Sequence, residues 1–390
     1  MAITLTNADN ALKSVYLDAI SEQLDNNISP FFASIEKSTN DVWGKDVKKL
    51  AIYGMNGGVG AGTEDGDLPS ATGNNYKQFV STLKNLYGTI EISDKAIRAS
   101  ENNAGAFVSL LNAEMDGLIK SSKFNFGRML FGDGSGVLGT IKAVENGVIK
   151  VDNINNFMEG MVIDVYTPEG MRVENITNRR ILYVDRLNKT ITISGSSIGA
   201  DMVDMVITVQ GSYQNEITGL KAIFDDNSTS LYGLNKEENK WVKPFVEKEV
   251  GEITENKLLS AIDYIEQVSG SAPNMILCSM GVRRALHKVL SKNSIALNTM
   301  EIAGGYKTMS FNGIPIVADR FCPEGTIYLL NTSDFTLHQL CDWQWLSGDD
   351  GKILKQVASK PTYTATLVKY AELICSRPYA QGALLGVSEE

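Results

Sequence analysis

Residues 45–93 read KDVKKLAIYGMNGGVGAGTEDGDLPSATGNNYKQFVSTLKNLYGTIEIS, and the fold of the whole chain turns on this stretch. Its two ends, 47–53 and 76–92, are rich in β-branched and aromatic residues, which predicts two extended segments. Between them lies a tip, 54–75, in which Gly54, Gly57, Gly58, Gly60, Gly62 and Gly66 fall within thirteen positions. Such a density of glycine strips away the side chains with which a loop packs on a core. The whole reads as a long two-stranded excursion, and a hairpin of that kind is marginal alone in water. Its stability is therefore expected to come from lying on something else, such as another subunit.

Upstream, Leu12, Val15, Tyr16, Ala19, Ile20 and Leu24 recur at helical spacing behind Asn7 and Asp9, so a short amphipathic helix is expected over 8–25. Downstream, Phe107, Leu111, Met115, Leu118, Ile119 and Ser122 share one face of a helix over 103–126, about six turns long. It runs into RMLFGDGSGVLG at 128–139, where glycines and Asp133 predict a tight loop. From about 140 to 211 helical periodicity disappears. Short strands are expected there at 148–151, 160–166, 179–184, 190–194 and 205–209, enough for a small β-barrel or sandwich. After 216, helices at 254–268 and 279–290 flank a strand at 274–278, and strands follow at 314–318, 326–330, 336–340, 353–358 and 362–373. The fold class is therefore α+β with one β-rich insertion.

A chain of 390 residues, 43% of them hydrophobic, is large enough for two or three domains. Its longest apolar runs fall far short of the roughly 20 residues that span a bilayer, so no membrane partner is expected. The start MAITLTNADN has neither the basic residues nor the apolar run of a secretory signal, and a cytosolic site of synthesis is expected. Cys278, Cys322, Cys341 and Cys375 form no C-x-x-C pair and have no histidine at ligand spacing, which reads as four buried free thiols. The net charge of −10 favours solubility and disfavours nonspecific adhesion to nucleic acid or anionic lipid.

Chemistry-bearing patterns are sparse. The glycine-rich tip lacks the lysine and helix start of a phosphate-cradling loop. Glu64, Asp65 and Asp67 lack the alternate ligand positions and closing glutamate of a calcium loop, so they read as a solvated or partner-facing acidic patch. His287 and His338 stand in no recognisable catalytic arrangement. Trp343 and Trp345 would point the same way on a strand. A hydrophobic anchor is preferred for them over a carbohydrate platform. No catalytic residue, cofactor or metal is expected, and the protein reads as a non-enzyme.

Four segments, in this order and spacing, resemble the major capsid proteins of tailed bacteriophages, whose fold encapsulin shells share. Residues 64–93 resemble that family's extended loop, with an acidic residue, Leu68-Pro69 and a returning lysine-bearing strand. The long helix with FGRMLFGDGSG (126–136) is similar to the spine helix and its exit, and NMILCSMGVRRALHKVL (274–290) to the strand and helix of the axial domain. SFNGIPIVADRFCPEGTIYLLNTSDFTL (310–337) resembles the strands that return toward the peripheral domain.

The resemblance implies an N-terminal arm and helix (1–44), an extended loop (45–93) and a peripheral domain with the spine helix (94–138). It further implies an inserted β-rich domain (139–215), an axial domain (216–310) and return strands of both domains (311–390). It implies a homo-oligomer of hexamers and pentamers forming an icosahedral shell around phage double-stranded DNA, held without sequence-specific binding. The subunit would reside in the virion, and in the host cytoplasm before assembly. Subunit contacts are expected from Gly54, Gly57, Gly58, Gly60, Gly62, Glu64, Asp65, Leu68, Pro69 and Lys77 of the loop, and from Leu12, Tyr16 and Ile20 of the helix. The N-terminal part is short for the fused scaffold some members carry, so a separate scaffolding protein is expected, with a portal and a decoration protein as further partners. Some members cross-link a loop lysine to a neighbour's asparagine; Lys77 lies in that region, but the remaining machinery has no match and no cross-link is expected. The alternatives are an encapsulin-like compartment and, from another class, a glycan-binding or adhesion protein using the β-rich insertion.

Overall fold

The computed structural model describes residues 29–95, 104–196, 198–292, 299–302, 306–348 and 351–389. The expected helix at 8–25, with Leu12, Tyr16 and Ile20, lies outside the described residues. The described chain opens with a single turn, α1 (Pro30–Ala33), capped by the Ser29 hydroxyl and carrying the buried Phe31 and Phe32. Three strands follow, β1 (Glu36–Ser38), β2 (Val42–Trp43) and β3 (Asp46–Tyr53), then β4 (Asn75–Thr82) and β5 (Lys84–Ser93). The long helix is α2 (Ala104–Met129).

The return limb of the excursion, expected as one extended segment over 76–92, is instead two strands, because the chain breaks at Leu83. β4 pairs with β3 in a three-stranded β2-β3-β4 sheet, whereas β5 leaves that sheet. The sequence conceals this because both strands are equally β-prone; tertiary pairing separates them.

The β-rich stretch comprises β6 (Val137–Glu145), β7 (Val148–Val151), β8 (Val162–Tyr166), β9 (Arg179–Asp185), β10 (Thr190–Ile193) and β11 (Val206–Val209). They close into a barrel in the order β10-β7-β6-β11-β8-β9, and so a barrel, not a sandwich, is formed. Inward residues such as Ile141, Ile149, Ile163, Val165, Ile191 and Ile207 are completely buried and make a core of their own. Val137 of the first strand stands opposite Thr208 of the last, so the unit enters and leaves the body at adjacent points.

Beyond the barrel come α3 (Leu220–Phe224), β12 (Ser230–Leu231), β13 (Leu234–Asn235) and β14 (Phe245–Glu247). Helix α4 (Glu255–Ser269) starts where Thr254 accepts a hydrogen bond from Lys257 N–H and ends at Gly270 in the left-handed conformation, φ 71°. Then follow β15 (Met275–Cys278), α5 (Met280–Lys292), β16 (Thr299–Ile302), β17 (Tyr306–Phe311), β18 (Ile314–Ala318) and β19 (Ile327–Leu330). The chain finishes with β20 (Phe335–Trp345), β21 (Lys355–Gln356), β22 (Thr362–Cys375) and β23 (Gly382–Leu384). The strand expected at 353–358 shrinks to those two residues of β21, and the one expected at 336–340 lengthens to the whole of β20.

Two sheets organise the body. In the first, β1, β20, β22 and β21 lie side by side and β5 pairs with β22 over the ten-residue register from Ser93↔Thr362 to Lys84↔Ala371. Helix α2 crosses β5 at Gly88, where a Cβ would sit 2.8 Å from Leu118 Cδ1, so a side chain there would have to displace the Leu118 side chain. The second sheet has the order β14-β23-β19-β15-β18-β17-β16. Its alternate residues face opposite ways. Met275 and Leu277 join the large core with α2, and Ile276 and Cys278 join the core beneath α4 and α5. Both helices therefore cover one side of this sheet.

Candidate assembly surface

The β3–β4 hairpin is a two-faced element. Ladder pairs alternate faces, so Val47↔Ser81, Lys49↔Phe79 and Ala51↔Lys77 lie on one side and Lys48↔Val80, Leu50↔Gln78 and Ile52↔Tyr76 on the other. On the first side Val47, Ala51 and Phe79 are buried. Phe79 meets Tyr232 edge-on at 5.3 Å between centroids, and Tyr53 stacks on Trp241 at 4.9 Å and 3°. Val80 N–H donates to the Tyr232 carbonyl at 2.9 Å. That carbonyl is presented by a two-residue turn between β12 and β13 in which Tyr232 (φ 49°) and Gly233 (φ 77°) both take positive φ.

On the second side the apolar residues face solvent. Leu50 is 60% exposed, Ile52 56% and Tyr76 50%, with Val80 less so. The hairpin is thus anchored to its own subunit by one face and leaves an apolar face uncovered. Trp43 of β2 and Tyr87 of β5 are also exposed. Sequence reasoning missed this face, although its signal is present: KKLAIY and NYKQFV carry apolar residues at both parities, so one set must point outward.

At the tip, Gly54, Gly57, Gly60, Gly62, Glu64, Asp65, Leu68 and Pro69 are exposed and Gly58 is half-buried. The arms run side by side: Asn56 Nδ2 donates to Asn74 Oδ1 at 3.0 Å, and Gly58 N–H to Asn56 Oδ1 at 2.9 Å. A Cβ on Gly57 would stand 2.8 Å from Thr72 Oγ1 and one on Gly60 3.4 Å from Pro69 Cγ. The glycines therefore admit the returning arm as well as loosening the loop. Lys77 lies opposite Ala51, exposed, on the side facing the subunit and away from the apolar row.

Polar pairs, most of them buried, hold the body behind the hairpin. Arg128 at the end of α2 makes a two-fold pair with Glu216, Nη1 to Oε2 at 2.8 Å and Nη2 to Oε1 at 2.6 Å. Asp133 accepts from the Ser135 N–H at 3.0 Å and from Lys221 Nζ at 2.7 Å, which closes the loop after α2. Lys369 is completely buried on β22, held by Gln339 Oε1 at 2.7 Å and by Asp342, with the Trp343 ring 5.8 Å away. Glu372 is also completely buried. Desolvation pushes its carboxyl up to about 7, although Thr218 N–H donates to Oε1 at 2.7 Å.

Trp343 and Trp345 are both buried in the large core, so they anchor β20 and offer no platform to a sugar. His338 is buried with Nδ1 3.0 Å from the Asn40 carbonyl, and His287 is exposed on α5. Cys278, Cys322 and Cys375 are buried free thiols, whereas Cys341 is only half-buried because it lies at a register shift of β20. Burial pushes the Cys278 thiol up to about 12. Among the described residues no group of three His, Cys, Asp or Glu side chains could hold a metal, and no helix is long and apolar enough to cross a membrane.

The chain matches no known protein-family profile, and no curated protein resembles it in sequence. Its structure does have relatives. A chain of the cyanophage A-1(L) capsid asymmetric unit superposes with a TM-score of 0.56 at 12% identity, over 96% of this chain and 94% of that one. The SrpI encapsulin complex of Synechococcus elongatus PCC 7942 gives 0.48 at 10% identity, covering 93% and 89%. The capsid of a native GTA particle gives 0.48 at 10% identity, covering 93% and 91%. The architecture is the α+β capsid fold of tailed phages, and it contains a closed six-stranded barrel.

Proposed function

We propose that this protein is a structural subunit of an icosahedral shell, assembling into hexamers and pentamers that enclose phage double-stranded DNA. The observation that carries the proposal is the β3–β4 hairpin, whose outward row of Leu50, Ile52, Tyr76 and Val80 is left uncovered by its own subunit. Apolar surface exposed on a projecting element is stable when a partner covers it. In a chain that superposes end to end on a capsid subunit, the natural partner is a second copy. The glycine-rich tip beyond the row, from Gly54 to Pro69, would extend the contact across the neighbour, with Glu64 and Asp65 as its acidic part.

The role is architectural rather than catalytic. The net charge of −10 suits a container that holds DNA without gripping it, since tight binding would resist filling and release. A separate scaffolding protein would set shell size, a portal would occupy a vertex, and a decoration protein would sit outside. The subunit would pass through the host cytoplasm into the virion. Electron microscopy of the full chain, expressed alone and with its gene neighbours, tests the reading. Icosahedral shells, tubes or sheets of hexamers are expected. A monodisperse monomer under every condition would overturn it, and uniform closed shells from the chain alone would remove the scaffold.

A further inference from the structure

Helices α4 and α5 cover the same side of the seven-stranded sheet but carry opposite charge. α4 has Glu255, Asp263 and Glu266 against Lys257, whose ammonium is occupied by the carbonyls of Val250 at 2.6 Å and Glu252 at 3.0 Å. α5 reads MGVRRALHKVLSK and contains no acidic residue at all. Asp263 and Glu266 are exposed on α4, as are Arg283, Arg284, His287 and Lys288 on α5. Among the described residues, no ion pair inside the subunit uses Asp263, Glu266, Arg283, Arg284 or Lys288.

The helices also sit over opposite ends of the sheet. Tyr264 of α4 lies 4.8 Å from the Phe245 ring of β14, and Ile265 packs on Gly382 of β23, the two strands at one end. α5 lies over β18, and Arg283, Arg284 and His287 line a groove of ≈ 420 Å³ with Thr308 and Met309 of β17, towards the other end. Each charged face has an apolar component: Tyr264 and Val268 are about half exposed on α4, and Met280 of α5 is exposed too.

We infer that the α5 cations of one copy meet the α4 carboxylates of the next, forming the side-to-side contact that closes a ring of subunits. Complementary patches at opposite ends of one layer make a head-to-tail contact, which closes into a ring when the rotation permits. Opposite charge fixes which edge meets which and penalises the two like-charged pairings. A Tyr264 ring beside guanidinium groups adds a cation–π component. A polyanion such as DNA is the poorer occupant, because α4 sets carboxylates into the same layer. The inference rests on the shell reading above.

Charge reversal provides the test, in full-length protein under conditions where the unaltered chain assembles. Arg284→Glu with Lys288→Glu puts carboxylates at two of the α5 positions that would meet the α4 carboxylates, and Asp263→Lys with Glu266→Lys puts ammonium groups where the α5 cations would meet them. Each double variant should keep its circular dichroism and melting temperature yet raise the critical concentration for assembly by about tenfold or more, an effect of like charges brought together at close range. An equal mixture of the two can alternate around a ring of six but not of five, so tubes or sheets of hexamers are expected in place of closed shells. One chain carrying all four substitutions is complementary again and should close shells. Assembly by either double variant at the unaltered concentration, or failure of both the mixture and the fourfold variant, would overturn the contact. Shells that form normally but lose DNA when α5 is reversed would also overturn it, assigning that helix to the genome. No assembly by the unaltered chain would sink the shell reading instead.

Discussion

Three buried charged residues, Glu372, Arg128 and Glu216, bear on the stability of the protein. Glu372 accepts from Thr218 and Leu373 through Oε1, while Oε2 is buried with no partner. Its carboxyl is raised from 4.5 to about 7, so the folded state holds the proton more tightly than the unfolded chain. That contribution is complete below about pH 4.5 and is lost as pH rises through about 7. Glu372→Gln, which resembles the protonated form, should match the parent at pH 4 and exceed it at pH 8 by up to about 3 kcal/mol. Thermal melts of both proteins across that range decide it, and a difference that does not grow with pH would refute it. Arg128 and Glu216 are almost wholly buried and paired through both nitrogens. Arg128→Met alone should cost about 3–5 kcal/mol by stranding the carboxylate. Arg128→Met with Glu216→Leu should recover most of that, as a denaturant-unfolding cycle would show. Neither residue drew attention in the sequence, because a buried charge is recognised only when its distant partner is known.

The barrel is the element whose independence is most open to trial. Its core is separate from the body's, and its first and last strands are hydrogen-bonded neighbours. The ion pair from the barrel's Lys189 to Glu324 is partly exposed, which makes it a weak tie. Replacing residues 137–209 with a short Gly-Ser linker should leave a host that melts cooperatively and keeps its helical circular dichroism. A host that aggregates or loses cooperativity would show instead that the barrel props up the body. Gly88→Val tests a second junction, where α2 crosses β5. Overpacking there should cost about 1–3 kcal/mol, with Gly88→Ala costing less. Strands β7 to β11 were legible in advance, since turn residues punctuate them, whereas the start of β6 lies in the stretch 128–139 that reads as a loop. The break at Leu83 was not legible, because nothing local distinguishes a continuing strand from one that changes sheets.

For the molecule as a whole, folding and assembly can be separated on the hairpin. Leu50 and Ile52 contribute little to their own subunit's core, being more than half exposed. Leu50→Lys with Ile52→Lys should therefore change the unfolding free energy of the isolated subunit by no more than about 0.5 kcal/mol. The same substitutions should abolish shells in sedimentation and electron microscopy. Normal shells from this variant would mean that the outward row faces solvent in the assembly as well. Tyr53 and Phe79 should behave in the opposite way, since they join the hairpin to Trp241 and Tyr232. Truncating either should loosen the subunit first.

The long helix, the β-rich unit and the glycine-rich tip were readable from the residues, whereas the strands at 299–302 and 306–311 were not. The readable elements are announced locally, by periodicity, by β-propensity or by the conformational freedom of glycine. Only the folded chain decided that the β-rich unit closes as a barrel, that β5 joins β22 while β4 stays with β3, and that Trp343 and Trp345 face inward. Closure and strand partnership depend on groups far apart in sequence, such as Ser93 with Thr362, whose pairing no local pattern encodes. The excursion at 45–93 is the clearest instance. Its residues announce two strands and a loose tip, but which apolar face packs on the body and which is left uncovered was settled by Tyr232 and Trp241, about 150 or more positions away.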